Sequence, residues 1–291
     1  MANSVSVECA WPVQAELGEG PLWSPPEQAV WFVDIKKNRI HRFEVTTGRK
    51  RSYETPPSPS FIVPEQRGTF VVGLQSGLHR FDPKTGDFEL LFEVEPERPG
   101  NRLNDGAIDP KGRLWFGSMD NGEAERTGSL FRLNHAGPVA VDRGYAITNG
   151  PCFSPDGRTL YHTDTRASTI FAFDVTDDGS VSNKRVFVTI EDGAGHPDGA
   201  VVDQEGCLWT CLFLGWAARR YSPDGRLLAT VKFPCSNVTK LAFTGPDLRT
   251  AYATTACHLL NAQQRAEQPF AGGLFRFEVD VPGLPQGVLH V

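Results

Sequence analysis

Four short stretches of the chain set an oxygen-bearing side chain against a glycine: Glu19-Gly20, Asn104-Asp105-Gly106, Asn149-Gly150 and Asp198-Gly199. Taken singly, each has the composition of an ordinary turn. Their spacing says more. Glu19 to Asn104 is 85 residues, Asn104 to Asn149 is 45 and Asn149 to Asp198 is 49, multiples of a structural unit of about 45 residues. If that unit brings the same position round to one axis, Glu19, Asn149 and Asp198 supply three hard oxygen donors with a charge of −2. Such a set suits one divalent cation with positions left for water and substrate. Oxygen donors accept Ca2+, Mg2+, Mn2+, Zn2+ or Fe2+, so the identity of the cation stays open.

The unit itself is visible. One apolar element recurs six times, at Ala29–Asp34, Thr69–Leu74, Arg113–Ser118, Thr159–Asp164, Cys207–Leu212 and Thr250–Thr255. Its third residues, Trp31, Val71, Trp115, Tyr161, Trp209 and Tyr252, are 40, 44, 46, 48 and 43 residues apart, which is the period of a propeller blade. A second element follows each copy, among them Arg39–Val45, Gly77–Pro83 and Thr169–Val175, and turn residues such as Pro155-Asp156-Gly157 separate the runs. The pattern predicts an all-β fold, a six-bladed β-propeller with four antiparallel strands per blade, as one domain over 1–291. The last blade lacks an outer strand, so the strand at Val5–Trp11 is expected to close it. Residues 261–269 read as an inserted loop or helical turn, and 287–291 have no assigned place. In a propeller the segments leading into the first strand of each blade meet at one mouth of the central channel. The four oxygen-bearing stretches are such segments.

Composition narrows the partners. The 291 residues carry 29 Lys+Arg against 35 Asp+Glu, a net charge of −6, with no basic stripe. Nucleic acid and anionic membranes are therefore not expected partners, and a small molecule is. No window reaches the ~18 apolar residues of a membrane span, and the N-terminus lacks the pattern of a signal peptide. A cytoplasmic location is expected, which agrees with six cysteines at no metal or disulfide spacing, Cys207 and Cys211 being read as buried in a strand. The arginines that recur on the third strands, Arg42, Arg80, Arg132, Arg220 and Arg276, are expected to face outward as structural groups. His196 is expected to be a partly buried loop histidine, and Phe213 and Trp216 either to wall a pocket or merely to pack.

Five ordered motifs, Leu17-Gly-Glu-Gly-Pro-Leu-Trp23, Asn101-Arg-Leu-Asn-Asp-Gly106 with Leu114-Trp-Phe-Gly-Ser-Met119, Ile147-Thr-Asn-Gly-Pro151, Phe153-Ser-Pro-Asp-Gly157 and His196-Pro-Asp-Gly199, resemble those of the senescence-marker-protein/gluconolactonase (regucalcin-like) family of six-bladed propellers. The resemblance spans nearly the whole chain. It implies a hydrolase that opens sugar-acid lactones with a single divalent metal, and bacterial sugar lactonases acting on xylono-, arabinono- or gluconolactone look most alike. Carried over by position, it places metal ligands on Glu19, Asn149 and Asp198, and substrate-binding residues on Arg102 and Asn104. The family's acidic residue after its Gly-x-Met motif has no single equivalent, since Met119 is followed by Asp120, Asn121, Gly122 and Glu123.

No Gly-x-Ser-x-Gly elbow offers a covalent nucleophile, so Asp198 is the candidate general base for attack by water. Arg102, Asn104 and Asp105 together make a polar lining suited to a polyhydroxylated ring. Two other readings stand beside this one: a paraoxonase-like esterase or related propeller lyase, which prefers apolar substrates, and a non-catalytic propeller scaffold holding a structural cation. A monomer suffices for any of them, and the sequence leaves the oligomeric state open.

Overall fold

The computed structural model describes residues 5–66 and 68–290. Among these, six four-stranded sheets succeed one another, five of them in simple chain order. The first strands are Gly18–Ser24, Phe61–Pro64, Asn101–Ile108, Thr148–Phe153, His196–Val202 and Val238–Thr244. Each touches the first strand of the next blade, and the sixth touches the first, so they ring a channel. The recurring apolar element forms the second strand of each blade, with ends within two residues of those expected. Tyr161, Trp209 and Tyr252 and their counterparts lie between blades: Trp209 packs on Phe243 and Phe277, and Trp115 on Phe153 of the blade that follows it. A blade is apolar on both faces, so burial between neighbours drives closure of the ring.

The ring is fastened where the chain ends meet. Glu8–Trp11 pairs antiparallel with Leu274–Glu278 and supplies the missing outer strand of the sixth sheet, so the expected strand is shorter than Val5–Trp11 but has the expected role. Thr239 Oγ1 donates to the Gly18 carbonyl at 2.6 Å, tying the last blade to the first. Residues 261–269 hold one turn of helix, Ala262–Glu267, begun by an Asn261 capping box with Gln264. The C-terminal segment crosses the end of the channel remote from the oxygen-bearing stretches. There Leu289 N donates to Pro64 O and His290 N to Gly112 O. Met1 to Ser4, Arg67 and Val291, which belong to the expected domain, lie outside the described residues.

The recurring arginines take the expected structural role. Arg220 Nε meets Asp203 at 2.7 Å, and Asp203 also accepts from Trp209 Nε1 at 3.0 Å. Arg132 lies over Trp115 and Arg42 over Trp31, Arg80 pairs with Glu65, and Arg276 with Glu8. All six cysteines are unpaired, and Cys207 and Cys211 are buried as expected.

His162, on the second strand of the fourth blade, is fully buried edge-on against Tyr145, and neither ring nitrogen has a hydrogen-bond partner among the described residues. Burial pushes its pKa down to about 3. The unfolded chain binds a proton there below pH ~6.5 whereas the folded chain resists it, so stability falls as pH drops from that value towards 3. His162→Phe should therefore gain about 2 kcal/mol over the parent between pH 7 and pH 5. Urea unfolding at the two pH values measures this, and an equal difference at both would rule it out.

Candidate functional site

A repeated backbone irregularity aims the oxygen-bearing side chains. In the first blade Glu19 lies opposite Val33 and Leu22 opposite Trp31, three steps on one strand against two on its partner. The same extra residue falls between Leu103 and Gly106, between Asn149 and Cys152, and between Pro197 and Ala200. A bulge of this kind bends the strand and redirects its side chains. Two glycines make it possible. Gly150 has φ +48°, and a Cβ there would stand 2.7 Å from the Ala200 nitrogen. Gly199 has Lys240 against it, 2.5 Å from where a Cβ would be.

The result is a cavity of about 70 Å3 lined by Glu19, Arg102, Asn104, Asn149 and Asp198 together. All five predicted residues thus meet in one place, and all are nearly sealed from solvent, with exposures of 5% for Glu19, 2% for Asn149, 6% for Asp198 and 3% for Arg102. A chain of bonds runs through them. Arg102 Nη1 donates to Asn104 Oδ1 at 2.6 Å. Asn104 Nδ2 donates to the Thr148 carbonyl at 2.6 Å and to Asn149 Oδ1 at 3.1 Å, and Asn149 Nδ2 donates to Thr165 Oγ1 at 2.9 Å. The amide oxygen of Asn149 is therefore held in a fixed direction.

The two carboxylates are in a different condition. Glu19 accepts one bond, from its neighbour Gly20 N at 2.7 Å, and Asp198 makes no hydrogen bond among the described residues. Burial, then the charge of Asp105, drives the Glu19 pKa up to about 8. Asp198 is raised well above the usual carboxylate range by burial and then by Glu19. The nearby ammonium of Lys240 is committed to Asp105 at 2.5 Å. Two buried acids that repel one another, with an amide oxygen beside them and no cation of their own, fit a divalent metal ion.

Asp105 corrects the expected lining. It turns down the channel, where it accepts from Gly106 N and Gly150 N at 2.8 Å and pairs with Lys240. His196 is exposed, contrary to expectation, with Nδ1 3.3 Å from Ser168 Oγ. Phe213 does wall the cavity, while Trp216 lies outside its lining. Sequence reasoning missed Leu17, Ile147, Thr165, His258 and Leu259, which also line it. Between the two acids after Met119, Glu123 reaches the cavity. Asp120 instead accepts from Gly122, Ala124 and Glu125 nitrogens and shapes the turn. A larger cavity of about 380 Å3 at the opposite mouth is lined by Pro151, Cys152, Phe243 and the C-terminal segment, and carries none of the predicted residues.

Removing one of the repelling charges should relieve the metal-free fold. Asp198→Asn is expected to raise the melting temperature in chelator and to abolish the rise that a divalent cation gives the parent. Differential scanning calorimetry with and without cation reads both effects, and an unchanged cation-induced rise would remove Asp198 from the ligand set.

Known proteins resemble this chain over most of its length. Residues 17–257 match the model of the SMP-30/Gluconolactonase/LRE-like region. The chain is 32% identical over 280 residues to 6-deoxy-6-sulfogluconolactonase of Pseudomonas putida, covering 96% of each, and 35% identical over 266 residues to L-arabinolactonase of Azospirillum brasilense, covering 89% of this chain and 87% of that one. Its fold superposes on the crystal structure of a calcium-binding protein, regucalcin, from Agrobacterium tumefaciens with a TM-score of 0.95 at 28% identity, covering 99% and 98% of the two chains. By a family match that takes in most of its length, the chain belongs to the SMP-30/gluconolactonase family.

Proposed function

We propose that the protein is a metal-dependent carboxylic ester hydrolase that opens sugar-acid lactones, such as xylono-, arabinono-, galactono- or gluconolactone, to the aldonic acid, as in bacterial oxidative sugar catabolism. The carrying observation is the bonded series Arg102–Asn104–Asn149, which holds a guanidinium and an amide beside the acidic pair, groups suited to a polyhydroxylated ring. The lactonases among its relatives support the same chemistry. A cytoplasmic site of action suits a protein whose six cysteines are all unpaired.

A divalent cation held by Glu19, Asn149 and Asp198 would polarise the lactone carbonyl and acidify an attacking water. Asp198 is the base: it takes a proton from the water as the bond from the water oxygen to the carbonyl carbon forms, and returns it to the ring oxygen as the bond between the carbonyl carbon and that oxygen breaks. Arg102 and Asn104 hold the ring oxygens and fix the direction of attack. Phe213 and Leu259 wall the cavity on its apolar side.

Asp198→Ala should leave a folded propeller with lactonase turnover below a few per cent of the parent. Arg102→Lys, which loses the planar fork, should raise KM about tenfold. A pH-stat assay of aldonolactones beside aryl esters, on protein reloaded with each cation, checks these outcomes. Faster turnover of the aryl esters would favour the esterase alternative, and hydrolysis indifferent to every cation would remove the metal from the reaction.

A further inference from the structure

The mouth of the cavity is more cationic than a neutral sugar ring requires. Arg102 is buried, yet among the described residues its guanidinium has no carboxylate in ion-pair contact and its Nε has no hydrogen-bond partner. A buried cation without a counter-charge is costly unless a ligand provides one. Lys36 stands in the turn after Ala29–Asp34 and forms neither a hydrogen bond nor an ion pair among the described residues. It is near enough to Arg102 for that charge, after burial, to depress its pKa. His258, from the sixth blade, lines the cavity with Arg102, and its pKa is depressed by burial and then by the charge of Lys36.

The acids facing this group do not balance it. Glu16 lies 3.9 Å from His258 Nδ1, but both its oxygens are held by Arg265, at 2.9 and 3.0 Å. Glu19 and Asp198 lie beside the proposed cation, and Asp105 belongs to Lys240. Glu123 is left as the counter-charge for two fixed cations. Space points the same way: about 70 Å3 is well below a usual ligand pocket of roughly 300 Å3 or more, so a sugar chain whose lactone carbonyl sits by the acids must extend its far end to the rim.

We propose that the substrate carries an anionic group, a phosphate or sulfonate, on the carbon farthest from the lactone carbonyl, and that Lys36 and a ring N–H of His258 receive it at the rim, beside the uncompensated charge of the Arg102 guanidinium that holds the ring. The assignment rests on the lactonase function above, so binding is measured apart from turnover. Calorimetric titration of the protein with 6-phosphogluconate, 6-deoxy-6-sulfogluconate and gluconate should show one or both anions binding at least about tenfold more tightly than gluconate, with a margin that shrinks in salt. A preference for one of them identifies the anion. Lys36→Gln should narrow the margin about tenfold and Glu123→Gln should widen it. Opposite signs of that kind are not what general damage to the fold produces. Equal affinities for all three compounds, or both substitutions acting in the same direction, would overturn the proposal. Failure to hydrolyse any lactone while the anion preference persists would instead overturn the lactonase function and leave this subsite standing.

Discussion

The repulsion between two buried carboxylates is the constraint on which the site depends. Glu19 and Asp198 come from the first and fifth blades and share a small cavity, where burial and Asp105 raise the proton affinity of Glu19, and burial and Glu19 raise that of Asp198. Left alone, such a pair would protonate or move apart. The propeller prevents the second outcome, because both residues stand on bulged inner strands that are bonded to their own blades and packed against neighbours. The fold thus stores an unfavourable arrangement that a positive ion can relieve, and stability elsewhere must support it.

Much of that support lies in apolar contact between blades and in the two fastenings of the ring. Trp31, Trp115 and Trp209 each fill a gap that one sheet alone could not. The Asp105–Lys240 pair serves differently. It spans the channel from the third to the sixth blade beneath the acids, nearly free of solvent, and its two backbone bonds at Asp105 hold the bulge of the third blade and touch that of the fourth. A buried ion pair of this sort adds little net stability. It gives the Lys240 ammonium its direct partner, while the charge of Lys240 still offsets part of the rise in the proton affinities of Glu19 and Asp198.

The architecture was legible because a repeat of apolar residues and turns writes the blade period directly into the sequence, and the convergence of Glu19, Asn149 and Asp198 on one cavity was legible because they keep that period. What stayed open, as with Glu123, or escaped notice, as with the others, lies off the repeat. Glu123 sits in the turn after Met119 at φ +58°, His258 and Leu259 follow the second strand of the last blade, and Lys36 occupies a hairpin turn. Their positions follow from loop geometry, which no periodicity encodes. Asp105 was misjudged for a related reason. Neighbouring residues on a regular strand point to opposite faces, but at a bulge the alternation breaks, and sequence alone does not say whether Asn104 or Asp105 faces the mouth.

The most direct measurement is a crystal structure grown with Mn2+ and analysed for anomalous scattering. One strong peak in contact with Glu19 and Asp198 carboxylate oxygens and the Asn149 amide oxygen is the result this account predicts. A map with no peak among these three residues at millimolar Mn2+, or with the ion bound elsewhere in the channel, would contradict it.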